Sequence, residues 1–348
     1  MSKDRKLHLL LSLTFCRILT ANALLIFLPV FLHSCRTEDP AMHGIPVTIK
    51  LESKVPGLLP ECESLDIFIF NDDRLKRLDS YQRTAPSGLE KITTASREGK
   101  KIIAVIANSR LEREGWSWVN SLDALLSTAA GLQKENPEKP LMCGLAYIDM
   151  GTDADCTINM QPLLSEIHIR SIRCDFSGRP YSGEQLENVR IYLTNVNAGA
   201  LIFGQSGFMP QQIVNAGRLS ENDLAAFSHP EMLIKRMESP VGNETAIPEI
   251  SLYCYPNDCN EESAGSPFTR LVIEGEISGH RYYYPIDINR EEGTSGGAGI
   301  GRNSRYVYDI TITRTGTGDP DITADPEMMM LHCSILPWTE AGKDEISF

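Results

Sequence analysis

Short runs of alternating apolar and polar residues, each closed by a turn-forming cluster, recur along most of this chain. Val47-Thr48-Ile49-Lys50-Leu51 alternates as a half-buried strand does. Leu65-Asp66-Ile67-Phe68-Ile69-Phe70 is strongly strand-forming and stops at Asn71-Asp72-Asp73, a turn signal. Leu75 to Tyr81 is expected to return antiparallel. Lys101 to Asn108 is a continuous apolar run, which predicts a strand covered on both faces. Leu141 to Ile148 and Cys156 to Leu163 predict two more strands, with Met150-Gly151-Thr152-Asp153 turning the chain between them.

Beyond Gln161-Pro162-Leu163 the same texture resumes. Strands are expected at Glu166 to Phe176, Val189 to Asn195, Leu201 to Phe203, Ser251 to Tyr255, Leu271 to Ile277, Tyr282 to Ile288, Tyr306 to Thr313 and Leu331 to Leu336. Helical spacing is scarce. Ser121 stands as an N-cap before Leu122, Leu125, Leu126 and Ala129, with Gly131 as the stop, and Ser220 with Asp223 can cap one turn through Leu224 and Phe227. Trp116 and Trp118, just ahead of the first helix, are expected to plug the core. Glu291 to Asn303, rich in Gly and Ser, is expected to be a flexible hairpin loop. Many short strands with few helices predict an all-β chain of two tandem β-sandwich domains with a few short helices. The domains are placed at residues 46–162 and 163–348.

The first residues break this pattern. Lys3, Arg5, Lys6 and Arg17 lead into Ile18 to Leu32, which is almost wholly apolar, and Leu32-His33-Ser34-Cys35 follows. A basic start, a short apolar stretch and a small residue before a cysteine form a lipoprotein signal. The run is shorter than the ~20 apolar residues a membrane-spanning helix needs. Extending it back across Arg17 would cost roughly 2.5–3.5 kcal/mol at mid-bilayer. Residues 1–34 are therefore expected to be removed, with Cys35 acylated and residues 35–45 serving as a tether. Glu38 and Asp39, just past the lipid, are similar to the acidic export signal of surface lipoproteins in the Bacteroidetes, which places the body on the outer face of an outer membrane.

Charge narrows the partners. The chain has 33 basic and 46 acidic residues. Removing the four signal cations and Asp4 leaves 29 and 45, a formal charge of −16. That disfavours nucleic acid, which is bound largely through cationic contacts to phosphate. It equally disfavours electrostatic adhesion to anionic lipid. Of nine cysteines, seven follow Cys35. Cys254 and Cys259 flank the turn Tyr255-Pro256-Asn257-Asp258, so they are the candidate disulfide, with two unbridged small side chains as the competing reading.

Reactive constellations are not found. Gly297, Gly299 and Gly301 lack the strand-to-helix setting of a phosphate loop. Asp319, Asp321, Thr323 and Asp325 match positions 1, 3, 5 and 7 of a calcium loop. Position 6 is Ala324 and position 12 is Met330, so a solvated acidic turn explains them as well. The cysteines and histidines lack zinc spacing. The sequence reads as a non-enzymatic protein without a cofactor or metal.

Several stretches in order resemble the fimbrillin-associated anchor lipoproteins of Bacteroidales type V pili. They are Leu65-Asp66-Ile67-Phe68-Ile69-Phe70-Asn71, Ile103-Ala104-Val105-Ile106-Ala107-Asn108, Leu252-Tyr253-Cys254-Tyr255-Pro256-Asn257, and Tyr306 to Gly316 followed by Leu336-Pro337-Trp338. The resemblance implies transthyretin-like sandwiches, fimbrial shaft or accessory subunits as partners, and a lipid-anchored place on the outer membrane within a fimbrium. In such pili a subunit lends an extended segment to a groove in its neighbour's sheet, because an open sheet edge presents unpaired N–H and C=O groups. A shaft subunit opens its groove by losing an N-terminal strand to proteolysis. Here only Arg36 is basic between Cys35 and Val47, so the Val47–Leu51 strand is expected to stay in its own sheet. Thr339 to Phe348, with four charges, is poor donor-strand material and agrees with the end of a polymer. The competing function is a surface glycan-binding lipoprotein, with Tyr282-Tyr283-Tyr284 as its aromatic cluster.

Overall fold

Most of the alternating runs become strands whose apolar sides face one of two buried clusters. Leu201 to Phe203 does not, because the strand there ends at Leu201 and the chain turns, with Gly204 N–H donating to the Leu201 carbonyl. The computed structural model describes residues 44–53, 62–85, 92–151, 155–204, 208–260, 262–263, 265–290 and 298–338. Cys35, the expected signal, the expected tether as far as His43, residues 291–297 of the expected Gly-rich loop and the residues after Trp338 lie outside these. Gly44 and Ile45, placed in the tether, belong to the first strand and its entry.

Eight strands come from the first part of the chain: β1 (Ile45–Ser53), β2 (Leu65–Asn71), β3 (Leu78–Thr84), β4 (Ile92–Ser96), β5 (Gly99–Ala107), the short β6 (Ala129–Gly131), β7 (Met142–Met150) and β8 (Asp155–Pro162). All but β6 join one seven-stranded sheet in the order β3-β2-β5-β7-β8-β1-β4. β7 and β8 pair only at Met142↔Pro162 and Cys143↔Gln161. Beyond that corner the two halves face each other. Val47, Ile49 and Leu51 of β1 share a buried cluster with Ile67 and Ile69 of β2 and with Ile103 and Val105 of β5. The Ser96 hydroxyl of β4 donates to the Asp79 carboxylate of β3, joining the halves again at their outer edges.

β2 and β5 are buried on both faces. Phe68, Phe70, Ile102, Ala104 and Ile106 point away from the first cluster and lie under Trp116, Val119, Leu122 and Leu125. Ser121 caps helix α1 (Leu122–Leu126) by accepting from Ala124 N–H. The helix ends before the expected Ala129, because Ala129–Gly131 pairs as β6 with residues far along the chain. Trp116 is buried edge-on against Phe68, with ring centroids 5.2 Å apart. Trp118, expected beside it in the core, is 49% exposed. It lies past the turn Arg113–Trp116, and only the first tryptophan of the pair reaches Phe68.

The rest supplies β9 (Ser165–Cys174), β10 (Glu187–Thr194), β11 (Val196–Asn197), β12 (Gly199–Leu201), β13 (Ile213–Val214), β14 (Ile234–Arg236), β15 (Ile250–Cys254), β16 (Arg270–Ile277), β17 (His280–Asp287), β18 (Ser304–Ile312) and β19 (Met329–Pro337). Helix α2 (Glu221–Leu224) is one turn, capped by the Ser220 hydroxyl as expected. Two four-stranded sheets result, β14-β10-β16-β17 and β15-β9-β18-β19. Their buried faces meet in one cluster, with Ile191, Ile273 and Tyr284 on one side and Ile167, Leu252 and Tyr308 on the other. β12 pairs with β6, and β11 with β13. Sheet membership changes between β8 and β9, yet the larger cluster runs from Phe68 through Leu163 to Ile312. The fold is all-β: strand makes up 50% and helix 7% of the described residues.

Candidate subunit interface

Strand-mediated contact depends on which sheet edges stand open, and the first strand decides one of them. β1 pairs antiparallel with β4, from Ile45↔Ser96 to Ile49↔Ile92, and parallel with β8, from Thr48↔Asp155 to Ser53↔Met160. Both of its edges are occupied. Val47 and Ile49 are essentially inaccessible to water. Gly44 enters against β4 so closely that a Cβ there would come within 2.9 Å of Ser96 N and O.

In the second pair of sheets the edge of β17 is covered. Tyr283 and Thr317 exchange backbone hydrogen bonds. The strap that carries Thr317 connects β18 to β19. It is held further by Tyr284 Oη donating to the Arg314 carbonyl at 3.0 Å, and by Thr315 N–H donating to Tyr181 Oη at 3.2 Å. At its far end Asp321 meets Arg270 at 2.7 Å. Arg270 also binds Asp287 at 2.7 Å and Glu262 at 2.9 Å. Three carboxylates raise the guanidinium pKa further against the burial that opposes it.

Three of the four calcium-loop residues have partners within the chain. Asp321 faces Arg270, the Asp319 carboxylate accepts from Asp321 N–H, and the Asp325 carboxylate accepts from Glu327 N–H. No metal-ligating group of three or more acids, histidines or cysteines occurs among the described residues. The tyrosine cluster does not form a platform. Tyr284 is buried, Tyr282 packs against the core, and Tyr283 lies under the strap.

β19 is the other edge on this side. All nine of its residues pair with β18, from Ile312↔Met329 to Ser304↔Pro337, and among the described residues no strand pairs with its second side. Met330 and Ile335 are 55% and 38% exposed along it. Next to its end the rings of Tyr253 and Trp338 lie 5.7 Å apart.

The candidate disulfide is not formed. Cys254 faces inward from β15, as its alternation with Ile250 and Leu252 requires, and burial pushes its thiol up to about 12. Cys259 lies beyond the turn, with its thiol 3.6 Å from the Ser266 carbonyl and 3.5 Å from Arg290 Nη2. The turn carries the second cysteine away from the buried face that holds the first.

One Ser–His–Glu grouping appears that sequence spacing does not reveal. His168 Nδ1 lies 3.0 Å from Ser251 Oγ, and that hydroxyl donates to Glu166 Oε1 at 2.6 Å. The order is wrong for a nucleophile. The serine sits between histidine and carboxylate instead of being deprotonated by a carboxylate-oriented histidine. Glu166 is also held by Arg305 at 3.2 Å.

Buried charges are the other features that sequence reading passed over. Asp66 accepts from Tyr81 Oη at 2.7 Å, and burial raises its carboxyl pKa. Burial likewise raises Glu135, despite donation from Tyr255 Oη at 2.9 Å. Lys101 sits with Asn71 and Asp79 inside the first sandwich. Arg302 reaches the Ile202 carbonyl at 2.7 Å and Cys143 Sγ at 3.0 Å. A charge inside an apolar run, as in Lys101-Ile102-Ile103, was the available signal for one of them.

No protein-family model matches the chain, and no curated protein matches it by sequence. Solved structures do match. A candidate cell adhesion protein from Parabacteroides distasonis ATCC 8503 superposes with a TM-score of 0.63 at 16% identity, over 87% of this chain and 99% of that one. A fimbrilin (fimA) from Porphyromonas gingivalis W83 gives 0.61 at 14% identity, over 86% and 98%. The tip fimbrial protein Mfa3 from Porphyromonas gingivalis, with C-terminal truncation, gives 0.53 at 10% identity, over 84% and 100%. The chain therefore has the fold of Bacteroidales fimbrial and cell adhesion proteins.

Proposed function

We propose that this chain is a non-enzymatic, lipid-anchored component of a surface fimbria that holds the fimbria to the outer membrane and ends subunit addition. The observation that carries this reading is the seated first strand. β1 satisfies its backbone on both sides and buries Val47, Ile49 and Leu51, so the groove that a donated strand would need is already filled. A subunit that keeps this strand can contribute at one end of a polymer and not in its middle. Cys35 would supply the membrane attachment. Stable anchoring needs more than one acyl chain, each buried CH₂ adding about 0.8 kcal/mol. The fold shared with fimbrial proteins supports the same reading, and so does a Ser251 hydroxyl committed to Glu166.

Cells lacking this chain should release fimbriae into the medium, and cells carrying Cys35→Ala should do the same while still making the protein. Fimbriae that stay cell-bound in both strains would refute the anchoring role. Radiolabelled palmitate that fails to enter the chain would refute the lipid.

A further inference from the structure

Lys101 places an ammonium inside a sandwich. Strand alternation puts it on the face that also carries Ile103 and Val105, which fill the first buried cluster. It is 2% exposed, and a lysine is almost never fully buried without a partner. It has two. Its Nζ lies 2.5 Å from Asn71 Oδ1 and 3.1 Å from Asp79 Oδ2.

The backbone fixes this arrangement. Asn71 is the register partner of Lys101 across the β2–β5 pair. The β2–β3 register shifts between Ile69↔Ser80 and Phe70↔Leu78, so Asp79 is the extra residue of a bulge. The Ser96 hydroxyl and Arg97 N–H fix the Asp79 carboxylate from behind. An ion pair requires only Lys101 and Asp79. The carboxamide carbonyl against the same nitrogen is the additional element, and it is an electrophile.

We propose that Lys101 and Asn71 join in an intramolecular isopeptide bond, with Asp79 carrying the proton. The Asp79 carboxylate takes a proton from the ammonium, which leaves a neutral amine. The amine lone pair attacks Asn71 Cγ and a C–N bond forms. The Cγ–Nδ2 bond then breaks, and the departing nitrogen collects the protons that the amine gave up. An ammonium and a carboxamide become a secondary amide and an ammonium ion, so atoms and charge balance without oxidant, metal or cofactor. Fixed proximity favours the step, since oriented intramolecular groups reach effective molarities of about 10⁵–10⁸ M. Asn71, half-buried at the end of β2, leaves ammonia a way out.

The purified full chain, reduced and digested with trypsin, tests this by peptide mass. The expected product is the peptide ending at Arg74 joined to the peptide from Lys101 to Arg110, lighter by one ammonia and uncut after Lys101. Separate peptides at full mass from folded protein would overturn the proposal and leave a buried ion pair. Asn71→Ala should abolish the link, and persistence of the link in that variant would overturn the assignment of the electrophile. Asp79→Asn should slow or abolish it, and full linkage in that variant would overturn the role of Asp79. The wild-type measurement decides the bond itself whether or not either variant folds.

Discussion

Thr317 and Tyr283 exchange both backbone hydrogen bonds, at 2.8 and 3.0 Å, across the edge of β17. That single pair converts the connection between β18 and β19 from a loop into a cover. Exposed strand edges invite pairing with other chains, and natural sheets blunt them with covers of this kind. With β17 covered and β1 enclosed, β19 is left as the long edge on its side of the molecule.

The cover depends on Gly316. A Cβ there would lie 2.3 Å from the Tyr283 carbonyl oxygen. Gly316→Ala should push the strap off β17 at a cost of about 1–3 kcal/mol, the range for forced overpacking. Amide exchange at Tyr283 should quicken, while exchange at Ile103 follows only the global change. Unchanged protection at Tyr283 would show that the strap does not cover this edge.

Ile49 is fully buried in the middle of β1. Ile49→Ala should cost about 2–5 kcal/mol in a urea unfolding curve. If β1 were instead dispensable to its own sheet, as in a subunit that discards its first strand, the midpoint would barely move.

Glu135 makes stability depend on pH in a definite direction. Its pKa is raised chiefly by burial, so the folded chain keeps this proton to higher pH than the unfolded chain does. The contribution is whole below the ordinary glutamate value, about 4.3, and is lost as pH rises through the folded value. Between pH 4 and pH 7 the wild type should therefore lose more stability than Glu135→Gln. Parallel curves for the two proteins would contradict this.

Cys254 and Cys259 should behave as separate thiols. Cys254 is fully buried with its pKa pushed up to about 12, so its thiolate is scarce and unreachable at neutral pH. Cys259 is half-buried. A thiol-alkylating reagent added to native protein should label Cys259 and spare Cys254 until denaturant is present. Failure to label Cys259 without prior reduction would restore the disulfide.

How much could be read without coordinates differs from element to element. Alternation in Val47–Leu51 specified a strand and its buried side, since the two-residue period is local geometry. The run Leu65–Phe70 specified a strand but not that both of its faces are covered. The caps at Ser121 and Ser220 were equally local, one side chain reaching a backbone N–H three residues on. Trp118 and the length of the first helix were not legible, because neighbours distant in sequence decide them. Ala129–Gly131 leaves the helix to pair with Gly199–Leu201. The acidic run from Asp319 offered calcium-like spacing, but Arg270, far back in the chain, claims Asp321.

Amino-acid order by itself determined that this is an all-β chain of short strands with a net acidic charge, because hydrophobic period is local and charge is a matter of composition. Tertiary structure alone decided which edges are closed, which acids are buried, and that Lys101, Asn71 and Asp79 meet. Those outcomes depend on strand register and on a bulge, and register is set by packing across the sheet, where residues distant in sequence come into contact.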